Sequence, residues 1–171
     1  VADVPDKPEP AEPGRDLPVE IMRQICAHLD DVPSPVMRCA IELAIDTGRR
    51  PEELCTLTLD CLSRDDDGAA VLVYDNHKAN RLGRRLPISE NTAQLITNQH
   101  QHVRARWPDT PLAELKLLPT DRRNPDGTKA ITAFSLAFAH RAWVTRMPEL
   151  TTADGVAFDK TKIVLYAYRH T

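Results

Sequence analysis

The sequence contains no hydrophobic run approaching the roughly 20 residues that cross a bilayer. Its first residues are polar and rich in proline, without the apolar core of a signal peptide. The 4 cysteines form no C-x-x-C pair and the 6 histidines no H-E-x-x-H, so the common zinc-site spacings are missing. We therefore expect a cytoplasmic protein with free thiols, no membrane partner, no metal and no other cofactor.

Charge is unevenly distributed along the chain. The 171 residues have a net charge of −3, which by itself argues weakly against a nucleic-acid partner. Residues 1–67, however, hold 7 Lys/Arg against 16 Asp/Glu (−9), and residues 68–171 hold 15 against 9 (+6). A phosphate-binding surface is therefore compatible with the second part of the chain.

The pattern of residues divides the chain into a linker and one folded domain. Residues 1–15 carry four prolines among charged residues and predict a flexible linker, so the domain comprises residues 16–171. Apolar periodicity and capping residues predict helices over about 18–28, 34–48, from 51 onward, 89–106 and 131–146. Two β-rich segments, 70–74 and 85–88, flank a basic, turn-forming stretch. The predicted fold is α+β, mainly helical, with helices around a small antiparallel β-hairpin or sheet.

Three separate segments carry residues suited to phosphate chemistry. In residues 47–54, TGRRPEEL, a glycine ends one helix and an arginine lies in the turn before the next. Lys78 lies in the hairpin connection, where Arg81, Arg84 and Arg85 add positive charge. Residues 166–171, YAYRHT, place an Arg–His pair beside a ring hydroxyl. Each segment alone is equally typical of a solvated surface.

Together, in order and spacing, the three segments resemble the conserved boxes of the tyrosine recombinases, the phage integrase family. Residues 47–54 resemble the first box, T-G-x-R-x-x-E-L, and residues 166–171 the second, H-x-L-R-H-T. Residues 71–88 resemble the family's β-hairpin, in which a lysine precedes an R-x-x-P-[IL] run. The resemblance covers about residues 17–171 and implies a tyrosine-recombinase catalytic-domain fold.

The resemblance also implies roles for individual residues. Arg50 and Arg169 match the two catalytic arginines, and Lys78 matches the catalytic lysine. His170 matches the histidine after the second arginine, and Glu53 the acidic residue that supports the first. The implied activity is site-specific recombination of double-stranded DNA through a 3′-phosphotyrosyl intermediate, without cofactor, by a tetramer assembled on DNA.

Two departures from the family pattern change what we expect of these residues. Tyr166 stands where the second box has histidine; its hydroxyl can hydrogen-bond a phosphate, but a phenol with a pKa of about 10 is a poor base at neutral pH. The family's nucleophilic tyrosine lies beyond the second box, and Tyr74, Tyr166 and Tyr168 are all in other places. We therefore expect the chain to be truncated before its nucleophile and inactive in DNA cleavage.

Three other functions compete with this interpretation. A non-catalytic DNA-binding relative of the integrases would keep the basic hairpin but would not require both arginines. A helical interaction scaffold would explain the helices but not the ordered boxes. A metal-dependent hydrolase would have to use the histidines, although two of them, His100 and His102, are two apart on a predicted helix and face different directions. Its candidate ligands are His77, His100, His102, His140 and His170.

Overall fold

The computed structural model describes residues 16–170 and, at His170, the backbone alone. The predicted linker lies outside these residues. The α-helices are α1 (Val19–Ala27), α2 (Pro35–Thr47), α3 (Pro51–Cys55), α4 (Glu90–Arg106) and α5 (Ala133–Arg146). The strands are β1 (Leu62–Arg64), β2 (Ala70–Asn76) and β3 (Arg81–Pro87), followed later in the chain by a 3₁₀ helix, Leu165–His170. The predicted α+β, mainly helical class is confirmed. Over the described range, no helix has both the length and the apolar character to cross a membrane.

Local capping residues set the ends of α2 and the start of α4. Ser34 accepts a hydrogen bond from the first turn of α2, and Pro35 occupies the first helical position. Gly48 ends α2 in the left-handed region, at φ +64°. Ser89 caps α4 in the same way as Ser34 caps α2. These boundaries agree with those predicted from the sequence.

Two predicted helix starts differ from the structure by one or two residues. The first helix begins at Val19 and not at Pro18, because Pro18 is the N-cap and its extended ψ of 147° keeps it outside the helix. The fifth helix begins at Ala133 and not at Ile131, because the Thr132 hydroxyl accepts a 3.0 Å hydrogen bond from the backbone of Ser135. Thr132 is therefore the N-cap.

The sheet is larger than the predicted hairpin. β2 lies between β1 and β3, and both of its neighbours run antiparallel to it. Strand β2 ends at residue 76 and β3 begins at residue 81, so the connection between them is a turn of only four residues, 77–80. Strand β1 was not predicted, because it has only three residues and depends on pairing with β2.

Helix α2 is the central element of the core. It contacts α3, α4, α5 and the Leu165–His170 helix. Ile41 and Leu43 of α2 are fully buried, as are Leu54 of α3 and Leu72 of β2. The ends of α2 and β2 are therefore held by the same core, and the segments that follow them emerge on one side of it. All four cysteines are free, as predicted; Cys26 is exposed and the others are buried.

Candidate active site

The corner between α2 and α3 brings the first and last predicted segments into contact. The positive φ of Gly48 turns the chain out of α2. A Cβ at this position would lie 3.3 Å from the Cα of Arg169 and 3.5 Å from the carbonyl oxygen of Tyr168. Glycine is thus required here for its backbone conformation and because the Leu165–His170 helix passes so close.

Arg50 is held by its backbone, which leaves its side chain to face outward. It is the N-cap of α3, with Pro51 in the first turn. Its backbone N–H donates a 3.0 Å hydrogen bond to Oε1 of Glu53, whose side chain is buried. Glu53 therefore fixes the main chain at Arg50, and the exposed guanidinium extends into a cleft.

Arg49, the neighbouring arginine, has a different environment. Its Nη1 donates a 2.8 Å hydrogen bond to the hydroxyl of Tyr74 on β2, and its guanidinium carbon lies 5.3 Å from the centre of the Tyr74 ring. Its Nε lies 3.4 Å from the carbonyl oxygen of Thr47. Of the two adjacent arginines, Arg50 faces the cleft and Arg49 is bound to the sheet.

The hairpin turn carries Lys78 at its tip. Oδ1 of Asn76 accepts a hydrogen bond from Ala79 N–H at 3.1 Å, and Oδ1 of Asp75 accepts one from Gly83 N–H at 2.7 Å. The pairing of β2 with β3 is irregular between Tyr74 and Asn76. These side-chain bonds close the turn tightly, and Lys78 lies exposed within it.

The three arginines that add positive charge beside Lys78, namely Arg81, Arg84 and Arg85, all lie on strand β3. Arg84 pairs with Tyr74 and Arg85 with Val73, so their side chains point to opposite faces of the sheet. Arg81 pairs with Asn76 beside the turn. All three are exposed on an edge strand.

The Leu165–His170 helix is anchored by a buried polar pair. The hydroxyl of Tyr168 lies 2.7 Å from Nε2 of His140 on α5, and both side chains are almost fully buried. Burial, with a smaller contribution from the charge of Arg141, lowers the pKa of His140 to about 3. Burial also raises the pKa of Tyr168. Tyr168 therefore fixes the helix that carries the next residue, Arg169.

Arg169 contains a buried polar atom without a partner. Its Nη1 is buried and donates no hydrogen bond to any of the residues that the structure describes. Its guanidinium carbon lies 5.8 Å from the centre of the Tyr166 ring. The half-exposed Tyr166 in turn forms part of the cleft wall. Arg169 is thus linked to the cleft through the ring of Tyr166.

The cleft itself has a volume of about 570 Å³. It brings together Arg50, Lys78, Tyr166 and Glu53, which the sequence places in three distant segments. Its remaining walls were not predicted: Pro51, Glu52, Thr56, Asp75, Asn76 and His77. The side chain of His170 is outside what the structure describes. Most of these additional residues flank Arg50 or Lys78 in the sequence, but only the folding of the turn against α3 brings the two groups together.

The charges on the cleft wall are mixed. Arg50 and Lys78 are cationic, whereas Glu52, Glu53 and Asp75 are anionic. The carboxylates of Glu53 and Asp75 each accept a backbone N–H, so part of their charge is already compensated. Glu52 is exposed at the mouth. The wall therefore offers directed hydrogen-bond donors and carries no excess of positive charge.

Comparison with known proteins identifies the family. The family model "Phage integrase family" matches residues 15–160, so the chain belongs to the phage integrase family. It is also similar to transposase B from transposon Tn554 of Staphylococcus aureus strain Mu50, with 32% identity over 90 residues, which are 53% of this chain and 14% of the relative. Transposase B from transposon PsiTn554 of Staphylococcus aureus is 31% identical over the same shares of both chains. The matched region thus spans about a seventh of these relatives.

Proposed function

We propose that this chain is the part of a tyrosine recombinase that holds and activates a phosphate of duplex DNA during site-specific recombination. The observation that carries the proposal is the convergence of Arg50, Lys78 and Tyr166 on one cleft, with an unpartnered guanidinium nitrogen of Arg169 behind Tyr166. These residues come from the three segments that match the family's boxes. The two transposases to which the chain is similar act, by their names, in transposition.

The buried nitrogen of Arg169 supports a bound anion. A buried donor without a partner costs about 1–3 kcal/mol, and more when the group is charged. A phosphate oxygen accepts strongly from a guanidinium and offsets that cost. Gly48 lies against the backbone of Tyr168 and Arg169, and the Tyr168–His140 pair holds the residue before Arg169, so the backbone position of Arg169 does not depend on the ligand.

In the proposed reaction, Arg50 and Arg169 donate hydrogen bonds to the non-bridging oxygens of the scissile phosphate. A tyrosine hydroxyl attacks phosphorus, its O–P bond forms, and the bond from phosphorus to the 5′-oxygen breaks. Lys78 gives a proton to that leaving oxygen, while His170 assists transfer of the tyrosine proton. The freed 5′-hydroxyl of a partner strand then attacks the phosphotyrosyl bond and restores the DNA backbone.

The nucleophile of this reaction is not among the tyrosines described above. The hydroxyl of Tyr74 is buried against Arg49, and that of Tyr168 against His140. Tyr166 is on the cleft wall, where we assign its hydroxyl a hydrogen bond to the phosphate. A polypeptide of residues 1–171 is therefore proposed to bind DNA without cleaving it. The reaction needs no metal or cofactor in this mechanism.

The DNA contact extends from the cleft to β3. Arg81, Arg84 and Arg85 are exposed along this strand next to the Lys78 turn. Because Arg84 and Arg85 lie on opposite faces, one contacts the backbone nearest the cleft and the other a second segment of DNA. We propose that recombination takes place in the cytoplasm, with the complete protein associating as a tetramer on two duplexes.

Salt-dependent binding to duplex DNA tests the proposal. Each phosphate contact contributes about 0.9 to the slope of log affinity against log salt concentration. Arg50→Ala, Lys78→Ala and Arg169→Ala should each reduce the slope by about that amount. Arg23→Ala, at an exposed position on α1 outside the cleft lining, is the matched control and should leave it unchanged.

Two results contradict the proposal. Binding that does not depend on salt would show that no phosphate is contacted, as expected of a helical scaffold. Equal slopes for the parent chain, Arg50→Ala and Arg169→Ala would show that DNA binds elsewhere on the molecule.

A further inference from the structure

Arg49 and Tyr74 connect the two segments that supply cations to the cleft. Arg49 directly precedes Arg50, and Tyr74 lies on β2 four residues before Lys78. The Nη1 of Arg49 donates to the Tyr74 hydroxyl at 2.8 Å, and the guanidinium also lies against the ring. This side-chain pair, the Arg49–Tyr74 clasp, joins the α2–α3 corner to the β-hairpin through a directional hydrogen bond and a cation–π contact.

The pair is held rigidly on both sides. The hydroxyl of Thr47 donates to the carbonyl of Leu43 at 2.6 Å and accepts from the backbone N–H of Arg49 at 3.3 Å. Tyr74 is 6% exposed, and the core around it fixes its ring. A shift of the hairpin relative to the corner therefore breaks the Arg49–Tyr74 contact before it alters either element internally.

Arg49 is not placed to bind the DNA phosphate itself. Its Nη1 and Nε both have acceptors within the protein, and it is not part of the cleft wall. Its backbone is nevertheless continuous with that of Arg50. The position of Arg49 therefore sets the distance between the backbone of Arg50 and the turn that carries Lys78.

We propose that Arg49 and Tyr74 are positioning residues that fix the separation of Arg50 and Lys78 so that both contact one DNA phosphate group at the same time. This inference rests on the proposed function. Without the clasp, the turn that carries Lys78 is held less closely to the α2–α3 corner, and Lys78 contacts the phosphate held by Arg50 only part of the time.

The test compares the effect of Lys78→Ala in two backgrounds. In the parent chain this change should lower the salt slope of duplex binding by about 0.9. When salt rises from 50 to 200 mM, the fold-loss of affinity should then be about 3.5 times smaller in Lys78→Ala than in the parent chain. In a Tyr74→Phe background, which keeps the ring and removes only the hydroxyl, it should lower the slope by less than about half as much. Gln99→Leu is the control background, since Gln99 is also buried and loses one hydrogen bond, to the carbonyl of Leu117, away from the cleft.

The possible results separate the two proposals. A Lys78→Ala effect that shrinks in Tyr74→Phe and stays whole in Gln99→Leu supports the clasp. An effect of equal size in all three backgrounds overturns the clasp and leaves the proposed function standing, because Lys78 then contacts phosphate independently of Tyr74. No effect in the parent chain overturns the proposed function and the clasp with it. If Tyr74→Phe does not fold, as judged by thermal unfolding, Arg49→Met replaces it and is judged by the same results.

Discussion

His140 makes the stability of this domain depend on pH over a defined range. The folded protein holds its pKa at about 3, whereas an imidazole in the unfolded chain has its ordinary pKa of about 6.5. As the pH falls below 6.5, the unfolded chain takes up a proton that the folded protein refuses until about pH 3. The stabilisation from neutral His140 is therefore complete above 6.5 and is lost progressively as the pH falls toward 3.

The size of this loss follows from the two pKa values. Each pH unit below 6.5 corresponds to about 1.4 kcal/mol, so His140 should reduce the free energy of unfolding by about 2 kcal/mol between pH 7 and pH 5. That is a large part of the roughly 5–15 kcal/mol that stabilises an ordinary domain. Because the His140 ring is hydrogen-bonded to the Tyr168 hydroxyl, the helix that carries Arg169 should be the first element to lose stability.

Urea unfolding at pH 7 and pH 5 measures this effect in the parent chain and in His140→Gln, which does not titrate. Burial raises the pKa values of Glu42 and Asp46, and these groups act in the opposite direction as the pH falls. They are present in both proteins, so the difference between the two pH-dependent losses isolates His140. Equal losses in the two proteins, or a folded-state imidazole pKa above 5 by NMR, would refute the reasoning.

Three further predictions concern other parts of the molecule. Gly48→Ala should reduce the free energy of unfolding by about 1–2 kcal/mol, because alanine is strained in the left-handed region, and urea unfolding measures it. Glu52→Gln should strengthen duplex binding by removing a negative charge at the mouth of the cleft; unchanged or weaker binding in a titration would count against this DNA path. Of the thiols, only exposed Cys26 should react with a disulfide reagent at pH 8 before denaturation, because burial raises the pKa of each of the others to about 12. Reaction of a second thiol in the native protein would be inconsistent with this packing.

The features that the sequence predicts well are local. Ser34, Gly48 and Ser89 set helix ends through bonds to backbone groups within a few residues, so a short window of sequence contains the information. The family resemblance rests on motifs that are equally short, and the family model that matches residues 15–160 confirms it. The roles of Arg50, Lys78 and Arg169 stay predictions, and their placement around one cleft supports them.

The features that the sequence does not predict depend on contacts between distant segments. Strand β1 exists only because β2 offers it a hydrogen-bonding edge. The hairpin is longer than expected because Asp75 and Asn76 bond across a tight turn. The distinction between Arg49 and Arg50 came from the family resemblance, and its physical basis, the Tyr74 hydroxyl, lies 25 residues away.

The central claim is that Arg50 and Arg169 activate a DNA phosphate for attack by tyrosine. The most direct test incubates the full-length protein with a labelled, nicked duplex and follows the covalent protein–DNA adduct on a denaturing gel. Arg50→Ala and Arg169→Ala should each slow adduct formation by about 10²–10³, as for other transition-state donors, whereas Arg23→Ala should not. Adduct formation at the parent rate in both cleft variants, or by residues 1–171 alone, would contradict the account.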